Sequence, residues 1–76
     1  MFKKTIEATI REVRLVSIHG QRYYDILYVR EGGEQTAHRS RAPFEEVYEQ
    51  PQPGDQVRIH TILDTVTGVE KIDSTG

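Results

Sequence analysis

The apolar residues within 5–16 alternate with polar ones, and the alternation changes phase once. The alternating positions are Ile6, Ala8, Ile10, Val13 and Leu15. Because successive side chains of a strand point to opposite faces, an uncorrected change of phase would turn part of this apolar set toward water. A β-bulge inserts one extra residue, bends the strand and restores a single buried face. We therefore predict a long first strand with a bulge near Arg11 and Glu12, as occurs in small barrels.

Composition and turn signals predict four further strands. The second covers 22–30, where aromatic and β-branched residues favour a sheet. Gly32-Gly33 suits a tight turn before a polar third strand over 35–40, which we expect at an edge or on a solvated face. Pro53-Gly54-Asp55 precedes a fourth strand over 57–63, and a turn over 64–68 leads to a short fifth strand over 69–72.

Between the third and fourth strands the apolar period changes from two to that of a helix. Phe44, Val47 and Tyr48 stand at i, i+3 and i+4, which would place them on one helical face. Pro43 suits the first helical position, and Pro51 ends the segment. The pattern predicts a short helix that packs these three side chains against the sheet.

The chain has 76 residues and no cysteine, which bounds both its size and its chemistry. We expect one domain over 1–76 with 73–76 disordered. At this length folding buries only about 60% of the surface that the unfolded chain exposes, so a deep catalytic cleft is not expected. Without cysteine there are no disulfides and no thiolate metal ligands. We predict a non-enzymatic cytoplasmic protein with no catalytic residues, no metal site and no cofactor.

Targeting and membrane-spanning patterns are not indicated by the sequence. Residues 1–13 contain two lysines but no apolar run of signal-peptide length. Elsewhere no uncharged stretch approaches the ~20 residues that cross a bilayer as a helix. We therefore expect no membrane contact.

The order of three strands, a short helix and two strands resembles the OB-fold, a five-stranded Greek-key barrel. The resemblance rests on element order and covers nearly the whole chain. The AHRSR segment followed by a helical pattern and PGDQVRI is also similar to the S1-type branch, which includes bacterial translation initiation factor one. The predicted fold class is therefore all-β with one short helix, an OB-like β-β-β-α-β-β barrel. An SH3-like barrel is the alternative.

The OB resemblance implies a ligand face across the second and third strands, bounded by two loops. Tyrosines and arginines coincide on one predicted side of the second strand, and the third strand adds basic residues. The predicted nucleic-acid-binding residues are Arg22, Tyr24, Tyr28, Arg30, His38, Arg39 and Arg41, with His19 and Thr65 on the bounding loops. This assignment places the Arg22 side of the second strand outside, and the alternative is that Tyr24, Ile26 and Tyr28 form the interior.

Charge and residue type leave two functions open. The net charge is −2, yet residues 1–41 are rich in lysine and arginine whereas 42–76 are rich in acidic residues, which permits a basic patch on an acidic protein. Exposed tyrosines stack on bases and arginines bind phosphates, so we predict a module that binds single-stranded DNA or RNA with little sequence preference. The alternative is a protein-interaction domain or accessory subunit that uses the same face, with homodimerisation through the third strand's edge as one version.

Overall fold

The computed structural model describes residues 2–33 and 35–72, which form one sheet of five antiparallel strands. The strands are β1 (Lys3–Ile18), β2 (Gln21–Arg30), β3 (Ala37–Pro43), β4 (Gln56–Ile62) and β5 (Thr65–Lys71). Their order across the sheet is β3-β2-β1-β4-β5. The end strands β3 and β5 contact each other. Within the described residues no hydrogen-bonded ladder joins those two strands, so the sheet is not closed.

The predicted bulge in β1 is confirmed. Ile10 pairs with Tyr28 and Glu12 pairs with Leu27, so Arg11 is the extra residue on the β1 side of the ladder. Before the bulge the even-numbered Ala8 and Ile10 are buried, and after it the odd-numbered Val13 packs against the core, whereas Leu15 on the same side is 51% exposed. β1 therefore bends, pairing with β4 along residues 3–9 and with β2 along residues 8–18.

The side of β2 that packs into the main apolar cluster carries Ile26 and Tyr28, although Val29 on the other side is also buried. The relative exposures of Ile26 and Tyr28 are 1% and 6%, and both belong to the main apolar cluster. The other fully buried side chains of this cluster come from β1 and β4 and include Ile10, Val57 and Ile59. The prediction that the Arg22 side of β2 lies outside is therefore wrong for the middle of the strand, where Ile26 and Tyr28 are buried. The physical reason is Asp25, whose carboxylate shares the opposite side and would be costly to bury.

The predicted helix after β3 is also wrong. Only Phe44–Glu46 form a helical turn, of the 3-10 type, and no α-helix occurs among the residues described. Val47 is extended, with φ −115° and ψ 140°, and makes a parallel bridge to Val69 of β5. The Tyr48 N–H donates a hydrogen bond to the Val69 carbonyl oxygen. A helix this short is only marginally stable by itself, so the segment pairs with β5 instead of forming a helix.

Two strand boundaries differ from the sequence prediction by three residues or more. β3 extends to Pro43 because Ala42, opposite Tyr24, is buried in the core. β5 begins at Thr65, after a turn at Leu63 and Asp64, because a register shift at Thr67 lets the ladder continue. The residues 73–76, predicted to be disordered, lie outside the described residues. Within the described part of the chain, no helix is long and apolar enough to cross a membrane.

The assignment of the two faces of β2 predicts unequal effects for its tyrosines. Tyr28→Ala should lower the free energy of unfolding by roughly 3–5 kcal/mol, because it removes a buried ring and leaves a cavity. Tyr23→Ala, on the opposite side, should cost less than about 1 kcal/mol. Urea denaturation followed by circular dichroism measures both. Equal losses would contradict this assignment.

Candidate functional site

The outer side of β1, β2 and β3 presents nine side chains in three cross-strand rows. The rows are Glu12, Leu27 and Arg39; Arg14, Asp25 and Arg41; and Val16, Tyr23 and Pro43. Antiparallel pairing brings the members of each row next to each other, although they come from three separate segments of sequence. We call this surface the arginine face, meaning the side chains of Arg14, Tyr23, Asp25, Leu27, Arg39 and Arg41.

A bidentate ion pair lies at the centre of the arginine face. Arg41 Nε donates to Asp25 Oδ1 at 2.7 Å, and Arg41 Nη2 donates to Asp25 Oδ2 at 3.1 Å. The Asp25 side chain is only 20% exposed, whereas that of Arg41 is 51% exposed. This pair fixes the plane of the guanidinium while leaving much of it open to solvent.

The Arg41 hydrogen bond lowers the pKa of the Asp25 carboxyl, and partial burial opposes that shift. The charges of Arg41, Arg39 and Arg14 lower it further. The same hydrogen bond raises the pKa of Arg41. Asp25 is therefore ionised at neutral pH and neutralises one of three clustered arginines.

Arg14 and Arg39 flank the central pair on opposite sides. Among residues 2–33 and 35–72 neither forms an ion pair, and both are exposed. Together with Asp25 and Leu27 they line a shallow depression on the sheet. The depression therefore presents the guanidinium groups of Arg14 and Arg39, the carboxylates of Glu12 and Asp25 and the half-buried side chain of Leu27, which suits a ligand that makes both polar and apolar contacts.

The predicted site residues are divided between the two sides of the sheet. Arg39 and Arg41 belong to the arginine face. The other five are on the opposite, core-facing side of their strands: Arg22, Tyr24, Tyr28, Arg30 and His38. The structure therefore does not bring the seven residues together on one surface.

The core-facing tyrosines are engaged within the protein. Tyr24 stacks on Phe44 with ring centroids 5.3 Å apart, and the Arg22 guanidinium carbon lies 4.0 Å from the centre of the Phe44 ring. Tyr28 stacks on His38 at 5.7 Å. These contacts complete the core at its ends, so a base has no access to the face of Tyr28. Arg30, His38 and Arg22 are exposed only because they stand where the core ends.

The two residues predicted on the bounding loops, His19 and Thr65, lie far apart in the sheet. His19 lies in the two-residue turn that follows β1, and its φ of 50° suits that turn. Thr65 is the first residue of β5 rather than part of a loop, and it pairs with Ile62, which pairs in turn with Lys3. In the ladder, His19 and Thr65 therefore stand at opposite ends of β1.

Four residues of the arginine face were absent from the sequence prediction: Arg14, Tyr23, Asp25 and Leu27. One signal in the sequence points to the three that lie on β2. A carboxylate in the middle of an apolar strand marks the solvent side, and Asp25 shares its parity with Tyr23 and Leu27. Arg14 could not be added from sequence, because its place opposite Asp25 depends on the exact position of the bulge.

Away from the arginine face, the outer side of β1, β4 and β5 carries a second polar cluster. His60 Nε2 lies 2.9 Å from Glu70 Oε1, and Thr5 Oγ1 lies 3.1 Å from His60 Nδ1. Arg58 joins Glu7 and Glu70 at 3.5 and 4.0 Å. The charged side chains of this second cluster pair with one another. Within the described residues no group of three or more acidic, histidine or cysteine side chains is placed to hold a metal ion.

Comparison of the chain with protein-family models, with curated proteins and with solved structures gave no match. The similarity to the S1-type branch therefore stays a prediction from sequence, and the arginine face has to be interpreted from its own geometry.

The pKa of Asp25 gives a test of the central ion pair. In the folded protein its carboxyl should titrate below the ordinary value of about 3.9. Its ionised form then stabilises the fold above that value, and this contribution disappears as the pH falls through the lowered pKa. In Arg41→Gln the titration midpoint of Asp25 should rise. Carboxyl-detected NMR titration measures this change.

Asp55 is the internal control for that titration. Its pKa is lowered mainly by the hydrogen bond that the Tyr48 hydroxyl donates to Oδ2 at 2.6 Å, remote from Arg41. The Asp55 midpoint should be the same in wild type and in Arg41→Gln. A shift of both carboxyls would indicate a global change rather than loss of the Asp25 partner, and no shift of either would refute the ion pair.

Proposed function

We propose that this chain is an OB-type module that binds single-stranded nucleic acid through the arginine face. The observation that carries the proposal is the convergence of Arg14, Arg39 and Arg41 around one carboxylate, beside Tyr23 on the same open surface. The cations would contact phosphates, and the Tyr23 ring would stack on a base, which is worth about 1–3 kcal/mol in such proteins.

The OB assignment is supported by the arrangement of the strands. β1 pairs with both β2 and β4, and the end strands β3 and β5 lie in contact. The extended segment at Val47 and Tyr48 adds backbone bonding along β5. In an OB-fold, the surface of strands two and three is where oligonucleotides bind, and the arginine face lies on those strands and on β1.

The composition of the arginine face also limits the affinity. Asp25 neutralises one arginine, and Glu12 stands in the same row as Arg39 on the far side of Leu27, so the strip carries only a small positive excess. The acidic residues of 42–76 repel a polyanion elsewhere. We therefore expect weak binding confined to a short strand, with little base specificity, because base edges meet few hydrogen-bond donors here.

Fluorescence anisotropy of labelled DNA and RNA oligomers of ~12 nucleotides, within the range of OB site sizes, tests this function. Two or three phosphate contacts imply that affinity falls about tenfold between ~50 and ~200 mM salt. Arg14→Gln and Arg39→Gln should each weaken binding and reduce the salt slope by about 0.7. Tyr23→Ala should weaken binding with no change in slope.

The matched control is Arg30→Gln. It removes one positive charge, as Arg39→Gln does, but from the core-facing side of β2 rather than from the arginine face. It should bind as wild type does. If Arg30→Gln reduces affinity as much as Arg39→Gln, attraction is a property of overall charge rather than of the arginine face. Absence of binding by folded wild-type protein at low salt would reject the function in favour of a protein-interaction domain.

A further inference from the structure

Among residues 2–33 and 35–72, the second half of β1 has a neighbouring strand on one edge only. β2 pairs with it as far as Ile18, whereas β4 pairs only with residues 3–9 on the other edge. The last bonds on that other edge join Ile10 to the loop before β4: its N–H donates to the Asp55 carbonyl oxygen, and its carbonyl accepts from Gly54. From Arg11 to Ile18 no described strand lies on this side. We call this segment the open edge of β1.

The hairpin geometry decides which backbone groups the open edge presents. His19 and Gly20 form a two-residue turn with φ of 50° and 81°, closed by the pair Ile18 and Gln21. The pair that closes such a turn is hydrogen-bonded, and hydrogen-bonded pairs alternate along an antiparallel ladder. The N–H and carbonyl groups of Val13, Leu15 and Ser17 therefore point away from β2, toward the open edge.

Charged side chains usually protect an exposed edge from pairing. Here the two charges nearest the bulge have opposite sign and stand on one side of the sheet, at Glu12 and Arg14. Within the described residues, neither forms an ion pair in its own chain. A second copy of the same edge, running antiparallel, meets these charges in reversed order, so the edge is complementary to itself in one register.

We propose that two copies of this chain associate through the open edges of β1, antiparallel, about a twofold axis at Val13. In this register Glu12 of each copy lies opposite Arg14 of the other, and Arg11 lies opposite Leu15. Sliding the strands to centre the axis on Arg14 would place two arginines face to face. Centring it on Leu15 would set both charges opposite apolar residues. Charge therefore selects the first register.

The length of the contact follows from the bonds already present. Because the loop at Gly54 and Asp55 occupies the edge at Ile10, pairing is confined to residues 11–15. So short an interface is expected to be weak and reversible. The axis is perpendicular to the sheet, so the arginine faces of the two copies would lie on the same side as one continuous surface. The dimer itself does not depend on nucleic-acid binding.

Sedimentation equilibrium at protein concentrations from about 10 μM to about 1 mM, without nucleic acid, tests the dimer. Wild type should show a reversible monomer–dimer equilibrium. Glu12→Arg alone and Arg14→Glu alone each place like charges opposite each other twice, so each should sediment as a monomer. The double variant Glu12→Arg/Arg14→Glu exchanges both charges and should recover the dimer.

An equimolar mixture of the two single variants gives the sharpest result. One chain then carries two basic residues and the other two acidic ones, so they should form a heterodimer that native mass spectrometry detects by its mass. Circular dichroism confirms that each variant is folded. If Arg14→Glu and the double variant that contains it fail to fold because position 14 faces Asp25, then the comparison of wild type with Glu12→Arg still decides the matter.

Three results would overturn the proposal. The first is monomeric wild type at the highest concentration. The second is a wild-type dimer that Glu12→Arg leaves intact, which would locate the interface elsewhere, for example on β3. The third is failure of both the mixture and the folded double variant to associate, which would exclude the charge-paired register.

Discussion

The bulge at Arg11 determines how every other strand is placed. It lets one strand of sixteen residues keep apolar side chains toward the core through a bend, first the even-numbered Ala8 and Ile10 and then the odd-numbered Val13. Because of that bend, β1 pairs with β4 in its first half and with β2 in its second, and the end strands β3 and β5 come into contact. After the bulge, the second half of β1 has no neighbouring strand on one edge within the described residues. The fold, the arginine face and the open edge of β1 therefore all depend on this bulge.

The side of β2 that faces the core is fixed by the balance of two costs. Both sides of the strand offer similar apolar mass, so the hydrophobic effect alone distinguishes them poorly. Turning Tyr23, Asp25 and Leu27 inward would desolvate a carboxylate, whereas turning Ile26 and Tyr28 inward buries only one hydroxyl. Arg41 reinforces the choice by pairing with Asp25 from the neighbouring strand. The same pair then orients one guanidinium at the surface, so a structural contact also prepares the candidate site.

The arginine face and the open edge of β1 meet at Arg14. This residue stands opposite Asp25 in the β1–β2 ladder, and no described strand pairs with the other edge of β1 at this position. A second copy paired there would place Glu12 beside Arg14 and join two arginine faces into one. Binding of a short anionic strand and self-association are thus geometrically compatible, because the first uses the surface of the sheet and the second uses its edge. Longer nucleic acids would then contact both copies.

The sequence by itself determined the bulge, the number of strands and the approximate course of β2 and β4, because alternation of apolar and polar residues over ten or more positions is a local property. Tertiary structure alone decided the segment after β3, where Val47 became extended on pairing with Val69, a residue more than twenty positions away. It also decided which of the predicted site residues share the outer surface of the sheet. Arg39 and Arg41 lie outside with Asp25, while Tyr24 and Tyr28 stack on Phe44 and His38. Such partners are set by cross-strand register and by the competition between burying an apolar ring and burying a charge, which no local pattern contains.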